Sequence, residues 1–447
     1  MFKKILKGMV IGGAALTIAA SAQAGTINVN LYGASAQFEF WTAAAPEFLI
    51  NQGCGIGDVS SAKNKNQKSA QGRDAGIAVC RGVDAVKGVT GNGIGTAKDT
   101  VIIRYTSEAS YDGIRAVMED PNFTAECGDG ALRKQADAET ADFPAYPTVG
   151  ENITALTCQD VHIGASDVAA SSFAQISIGD KLGHLGNGTD TEWTGMQSMI
   201  YPDDIQAPPA SYQVDRPIVV PFGFFANTGR SKVGSVVTVD EDKAVPFNNM
   251  SRLMAVSLFS GQVMDWNEFD PSLDSLPVVL CMRHAGSGTV ATLDASVMRG
   301  NGSLVYEEVR HDSTSITTGV QPETWFNNGS SDMVKCVGEN FGAVGYADAD
   351  KCGAAGISCT GVKRMTWQGV EPSSIAIKNG QYDFWSAQWL YSNEAAKGNT
   401  KGDAMIDALA AYASIEANLP ESKAPFWAAQ EAMKWGKGTD FLYPIQK

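Results

Sequence analysis

The chain has 447 residues and carries 49 acidic against 34 basic side chains, a formal net charge of −15. So acidic a balance argues against nucleic acid or an anionic membrane surface as partner, because both are polyanions gripped by Lys and Arg. The length exceeds what one hydrophobic core ordinarily serves, so two domains are expected.

Residues 1–24 read as an export signal: Lys3, Lys4 and Lys7 precede an apolar run over 9–20, and Ser21-Ala22-Gln23-Ala24 supplies a small-residue cleavage site. The run is shorter than the roughly 20 residues a membrane span needs, so no membrane insertion is expected after its removal. A periplasmic or secreted location follows, and the mature chain keeps 31 basic side chains for a charge of −18. All eight cysteines (54, 80, 127, 158, 281, 336, 352 and 359) lie in the mature part, and an even number in an exported chain points to disulfides. Connectivity cannot be read from the sequence. Pairing neighbours in order closes the shortest loops and is the expectation: Cys54 with Cys80, Cys127 with Cys158, Cys281 with Cys336, Cys352 with Cys359. No metal site and no cofactor are expected, since there is no C-x-x-C and His162, His184, His284 and His311 are scattered without ligand spacing.

Short β-rich runs then alternate with helix-like segments: a strand over 27–31 before a helix over 38–50, and a strand over 100–104 before a helix over 111–119. Such alternation predicts the α/β class, with mixed sheets flanked by helices. The polar stretch 53–98, holding Cys54 and Cys80, reads as an insertion stapled at its base, and 120–157, with Cys127 and Cys158, as a second. The run 217–226 (PIVVPFGFFA) is apolar throughout, as a strand buried on both faces would be. Residues 247–259 have helical spacing and lead into Gly261-Gln262-Val263-Met264-Asp265-Trp266; further buried strands are expected over 276–282 and 341–346. By composition 382–435 is mostly helical, broken at 398–402.

Four stretches put small residues and hydroxyls where a strand ends or a helix begins. Arg283-His284-Ala285-Gly286-Ser287-Gly288-Thr289 follows the strand ending at 282. Its glycines allow a tight fold in which the N–H groups of Ser287, Gly288 and Thr289 point at one ligand, while Arg283 offers a planar fork to two oxyanion oxygens. Gly33-Ala34-Ser35-Ala36-Gln37-Phe38 repeats the strand-to-helix turn, with N–H groups at Gln37 and Phe38. Ser110 sits at a helix start within Ser107-Glu108-Ala109-Ser110-Tyr111-Asp112-Gly113, and Gly164-Ala165-Ser166-Asp167 ends a strand with one carboxylate. Any one of these has an ordinary explanation as an N-cap. Three helix starts aimed at one point would make an electropositive pocket inside an acidic protein.

In order and content these stretches resemble the phosphate-binding subunit of bacterial phosphate ABC transporters, whose G-A-G-A-T-F, F-G-A-S-D and R-x-D-G-S-G-T turns are similar to 33–38, 163–167 and 283–289 here. The family's serine- and glycine-rich helix start preceded by tyrosine is similar to Tyr105 through Gly113, and Gly261 to Trp266 and Gly342-Ala343-Val344-Gly345-Tyr346 add lesser similarities, so the likeness spans about 30 to 380. It implies a two-lobed, type II-like periplasmic binding protein with its ligand cleft between the lobes. Lobe I would take 25–226 plus 366–447, with the insertions at about 53–98 and 120–157, and lobe II 227–365. Anion contacts would come from Gln37 and Phe38, from Ser110, and from Arg283, Ser287, Gly288 and Thr289. Asp167 would accept a hydrogen bond from a protonated phosphate oxygen. An ABC permease is the implied partner.

Two departures bear on specificity: Gln37 stands where the family has threonine, and Ala285 where it has aspartate. A carboxylate facing an oxyanion is tolerable only with a proton between them, so it selects protonated phosphate over sulfate. With Ala285, only Asp167 remains for that task. Phosphate is the first expectation, with arsenate, sulfate, molybdate-like ions or a phosphorylated organic molecule behind it. Catalysis is not expected, because Ala-Gly-Ser-Gly-Thr is not a G-x-S-x-G elbow and nothing supplies a triad's third member to His284 and Ser287. The alternative is a structural, adhesive or filament-forming surface protein that kept the fold with weak or no ligand binding, since two insertions and up to four disulfides exceed what capture and delivery require.

Overall fold

The computed structural model describes residues 25–64, 74–83, 99–120, 127–128, 132–138, 143–150, 153, 155–173, 183–185, 192–193, 208–283, 286–298, 322–327, 329–352 and 359–447. The expected signal over 1–24, and His284, Ala285 and His311, lie outside them. No helix of the described residues is long and apolar enough to cross a membrane.

Two large mixed sheets carry the described chain. The first has eight strands, with Thr26–Ala34 lying between Asp99–Glu108 and Ile163–Ser166, all three parallel. Trp389–Ser392 pairs antiparallel with Ile163–Ser166, and Gln213–Asp215 closes that edge. In the second sheet Val279–Arg283 lies between Glu323–Asn327 and Ala343–Asp348, again all parallel. The antiparallel strand is here Ile218–Val233, with Val362–Trp367 beyond it. The two sheets thus share one strand order, and this is the α/β, type II-like arrangement of mixed sheets flanked by helices that the sequence predicts.

Burial explains the elements. The run Ile218 to Phe225 is apolar and buried on both faces, its Phe224 ring packed on Phe259, Trp367 and Phe384. Phe40, Trp41 and Phe48 of the helix Phe38–Asn51 enter the same core, Phe40 stacking on Trp427 at 5.4 Å. The helix Ser110–Val117 lies against Thr26–Ala34 and Ile163–Ser166 at Gly113, where any Cβ would collide with the Tyr32 and Ala165 carbonyls. Ser251 caps Arg252–Phe259 by accepting the Met254 N–H at 3.1 Å.

The first insertion is more ordered than an inserted loop. Val59–Lys63 and Ala75–Val83 pair antiparallel and extend the first sheet beyond Asp99–Glu108. The second holds an antiparallel pair, Leu132–Ala136 with Leu156–Asp160. All four disulfides join neighbouring cysteines in order, as the shortest loops suggest. The C-terminal region departs from its expected helicity. It contains the strands Trp385–Ala387 and Trp389–Ser392 before one long helix, Thr400–Ala413, because its aromatic residues are taken up as central strands. The expected break over 398–402 is that helix's start, where Asn399 accepts the Gly402 N–H at 3.0 Å.

Two of the changes between sheets are made by closely adjoining strands, while Gly183–Leu185 and Glu192–Trp193 make a further excursion into the second sheet. Gln213–Asp215 belongs to the first sheet and Ile218–Val233 to the second, with Arg216 and Pro217 between. On the return, Ala387 pairs with Val219, whereas Trp389 pairs with Ser166. Gln388 bridges the two and donates its N–H to Ile218 O at 2.9 Å. The boundaries expected at 226 and 366 fall inside strands of the second sheet.

Candidate functional site

Every candidate stretch lies at the C-terminal end of a parallel strand, the edge at which open α/β sheets hold their ligands. Thr26–Ala34 runs into the single 3-10 turn Ser35–Gln37 and then the helix from Phe38. Asp99–Glu108 leads to the helix at Ser110, Ile163–Ser166 ends at Asp167, and Val279–Arg283 leads to the helix start at Gly288. The first three belong to one sheet and the last to the other.

These edges meet. Gly288 N–H donates to Ser110 Oγ at 3.2 Å, Tyr111 N–H to Gly286 O at 3.2 Å, and Arg283 Nη2 to Ser35 Oγ at 3.4 Å. Only glycine fits at 288, because a Cβ there would collide with the Ser110 hydroxyl and the Asp167 side chain. Ser110 Oγ also receives the Asp167 N–H at 3.1 Å, so one hydroxyl ties both loops.

Arg283 is 1% exposed, and its fork is held from several sides. Nε donates to Asn327 O at 3.2 Å, and Nη1 to Ser330 Oγ at 3.0 Å and Thr289 Oγ1 at 3.4 Å. Its backbone N–H donates to the Tyr346 hydroxyl at 3.2 Å. Burial pulls the guanidinium pKa down, while the nearby charge of Asp167 opposes the fall. Asp167 is equally buried, and its Oδ1 has no hydrogen bond among the described residues. Desolvation, helped by the charge of Asp348, pushes its carboxyl up to about 7, against Arg283 and the hydroxyls of Ser110 and Thr289. The Ser386 hydroxyl donates to the Asp167 carbonyl and ties the strand end to the segment that crosses between sheets.

Ser110, Asp167, Arg283, Gly288 and Thr289 therefore come together. Three expected residues play more local parts. The Phe38 N–H donates to Ser35 O within the 3-10 turn and is not a free donor. Gln37 turns its side chain inward, donating from Nε2 to Ser166 O at 3.0 Å and accepting Trp41 Nε1–H at 2.8 Å. Ser287 is the N-cap, its Oγ accepting the Thr289 N–H at 3.2 Å. Ser35, Asn327, Ser330 and Tyr346 join the site unannounced. Ser35 lies inside a stretch already singled out, and Ser330 follows Gly329 at a helix start, the pattern that marks Ser110.

No family model matches the chain. Among solved structures, similarity extends to a protein from Clostridium perfringens classed as a phosphate ABC transporter substrate-binding protein and solved with bound phosphate. It has 12% identity and a TM-score of 0.43, over 86% of this chain and 92% of that one. A phosphate-binding protein from Stenotrophomonas maltophilia matches at 11% identity and a TM-score of 0.38, over 85% and 83%. A high-affinity periplasmic phosphate-binding protein, PfluDING, matches at 12% and 0.37, over 85% and 84%. At such values these likenesses decide nothing about this chain, whose fold and site stand on its own strands and side chains.

Proposed function

We propose that the chain is an exported solute-binding protein that captures a tetrahedral oxyanion, phosphate first, between its two sheets for ABC-type uptake. The observation that supports this is the buried meeting of Arg283 and the 286–289 loop, from one sheet, with Ser35, Ser110 and Asp167 from the other. A guanidinium fork, hydroxyls and backbone N–H groups are the donors an oxyanion takes, and Asp167 in its ionised form is an acceptor for the O–H of a protonated guest. The permease rests on the sequence resemblance alone.

The mechanism is closure of the first sheet's lobe against the second's, with bending at Arg216-Pro217 and Gln388, two of the places where the chain changes sheets, in place of the expected divisions at 226 and 366, which would cut strands. An anion held by groups of both lobes stabilises the closed state by its differential affinity for it. Titration calorimetry is expected to give a phosphate Kd near or below micromolar. Arg283→Ala should weaken it by at least about tenfold, roughly 1.4 kcal/mol, and an unchanged affinity would refute the assignment of Arg283.

The direct bonds from Gly288 to Ser110 and from Tyr111 to Gly286 favour a second reading, in which the sheets are joined for a structural, adhesive or filament-forming role. Absence of measurable anion binding, with ordered assemblies of the purified protein, would establish that reading instead.

A further inference from the structure

The common strand order of the two sheets sets residues of one lobe in correspondence with residues of the other. Each sheet holds a central parallel trio (Thr26–Ala34, Asp99–Glu108 and Ile163–Ser166; Val279–Arg283, Glu323–Asn327 and Ala343–Asp348) whose first strand in chain order lies between the second and third, and an antiparallel strand from a crossing segment follows the third. After the second strand, Ser110 opens the helix Ser110–Val117 in the first lobe, and Ser330 opens Ser330–Glu339 in the second. At the end of the third, Asp167 follows Ile163–Ser166, and Asp348 ends Ala343–Asp348.

The correspondence extends to environment. Ser330 is buried and receives Arg283 Nη1–H, as Ser110 receives N–H groups from both loops. Asp348 is 1% exposed, the same as Asp167. Neither of its carboxylate oxygens has a hydrogen bond among the described residues, and Lys351 Nζ stands 3.8 Å from Oδ2. Asp348 ends the strand that pairs in parallel with the one ending at Arg283, and its charge acts on both Asp167 and Arg283. A buried carboxylate without hydrogen bonds is costly to the fold, and the Lys351 ion pair at 3.8 Å offsets part of that cost.

We propose that Ser330 and Asp348 complete the anion site as the second lobe's counterparts of Ser110 and Asp167, with Asp348 a specificity-determining residue that accepts an O–H from the bound oxyanion. The proposal rests on the oxyanion reading of the cleft. Two carboxylates, ionised and so acceptors only, beside one guanidinium fit a tetrahedral oxyanion with two protons to give, so the preferred guest is the dihydrogen form of phosphate or arsenate. Sulfate, unprotonated at neutral pH, meets two carboxyls with no proton between. On this account the acceptor absent at Ala285 is provided by the end of the neighbouring strand.

The test is calorimetric titration of inorganic phosphate and of sulfate, at one neutral pH, into the full mature chain and its Asp348→Asn, Asp348→Ser and Ser330→Ala variants. Asp348→Asn should weaken phosphate at least about tenfold and strengthen sulfate by a similar factor, about 1.4 kcal/mol each. Asp348→Ser repeats the test should the asparagine variant fail to fold, and Ser330→Ala should weaken both anions alike. A phosphate-to-sulfate ratio unmoved at position 348, in a chain whose wild type binds phosphate, overturns the role of Asp348 and leaves the cleft reading intact. A wild type that binds neither ion overturns both.

Discussion

At Gly288 the two sheets come within a side chain's width of each other, and that closeness yields the simplest residue-scale expectation. Gly288→Ala would force a methyl into the Ser110 hydroxyl and the Asp167 side chain, so it should hold the lobes apart and reduce phosphate affinity by at least about tenfold. Calorimetry on the folded variant checks it. Asp167 gives a pH expectation. Its carboxyl titrates at about 7 in the folded chain against an ordinary 3.8, so both states are protonated below about pH 4, and between about 4 and 7 the unfolded chain releases the proton first. Its contribution to stability therefore falls as pH rises through that window and levels off above 7. Urea unfolding should show Asp167→Asn flattening that fall and stabilising the chain at pH 8 by on the order of 2–4 kcal/mol; an unaltered slope would show the carboxyl to be ordinary. That the turns holding Arg283, Ser110, Gly288 and Thr289 come together was legible in the sequence because small residues and hydroxyls at strand ends carry a local signature. Phe38 was misjudged because the 3-10 turn that takes its N–H leaves no mark in composition. Ser330 and Asp348 were invisible because their meaning lies in which strands pair with Val279–Arg283, a matter no local pattern records.

At the scale of elements, one disulfide bears directly on the site. Cys281 lies two residues before Arg283 in its strand, and Cys336 lies in the helix that Ser330 opens, so their bond fixes the two elements that hold the guanidinium. It closes a loop of 55 residues, for which chain entropy gives about 4 kcal/mol. Replacing both cysteines by serine should lower the unfolding free energy by about that amount in denaturant titration, and weaken phosphate binding as the strand and helix loosen. A variant as stable as the parent would mean the two elements are fixed by packing alone. Strand and helix alternation, the buried run over 217–226 and the disulfide order could be read from the chain, because each leaves a short-range pattern. The strands within 382–435 could not, since Trp385, Trp389 and Tyr391 become strand residues only through partners in both sheets.

For the whole molecule, the proposed closure turns one lobe against the other at Arg216-Pro217 and Gln388, where closely adjoining strands belong to different sheets. Small-angle scattering should show a smaller radius of gyration with saturating phosphate than without, and no change in Arg283→Ala at the same phosphate concentration. A fold built on two large sheets was legible from length and strand–helix alternation. Its exact crossings were not, because a strand such as Ile218–Val233 is apolar along its buried length and gives no sign of where the sheet changes. The central claim is that groups from both sheets hold one oxyanion. Its most direct test is the stoichiometry and affinity of phosphate for the wild type beside Ser110→Ala, from the first sheet, and Arg283→Ala, from the second. One ion per chain, weakened at least about tenfold by each substitution, is the predicted result; affinity insensitive to either one would contradict it.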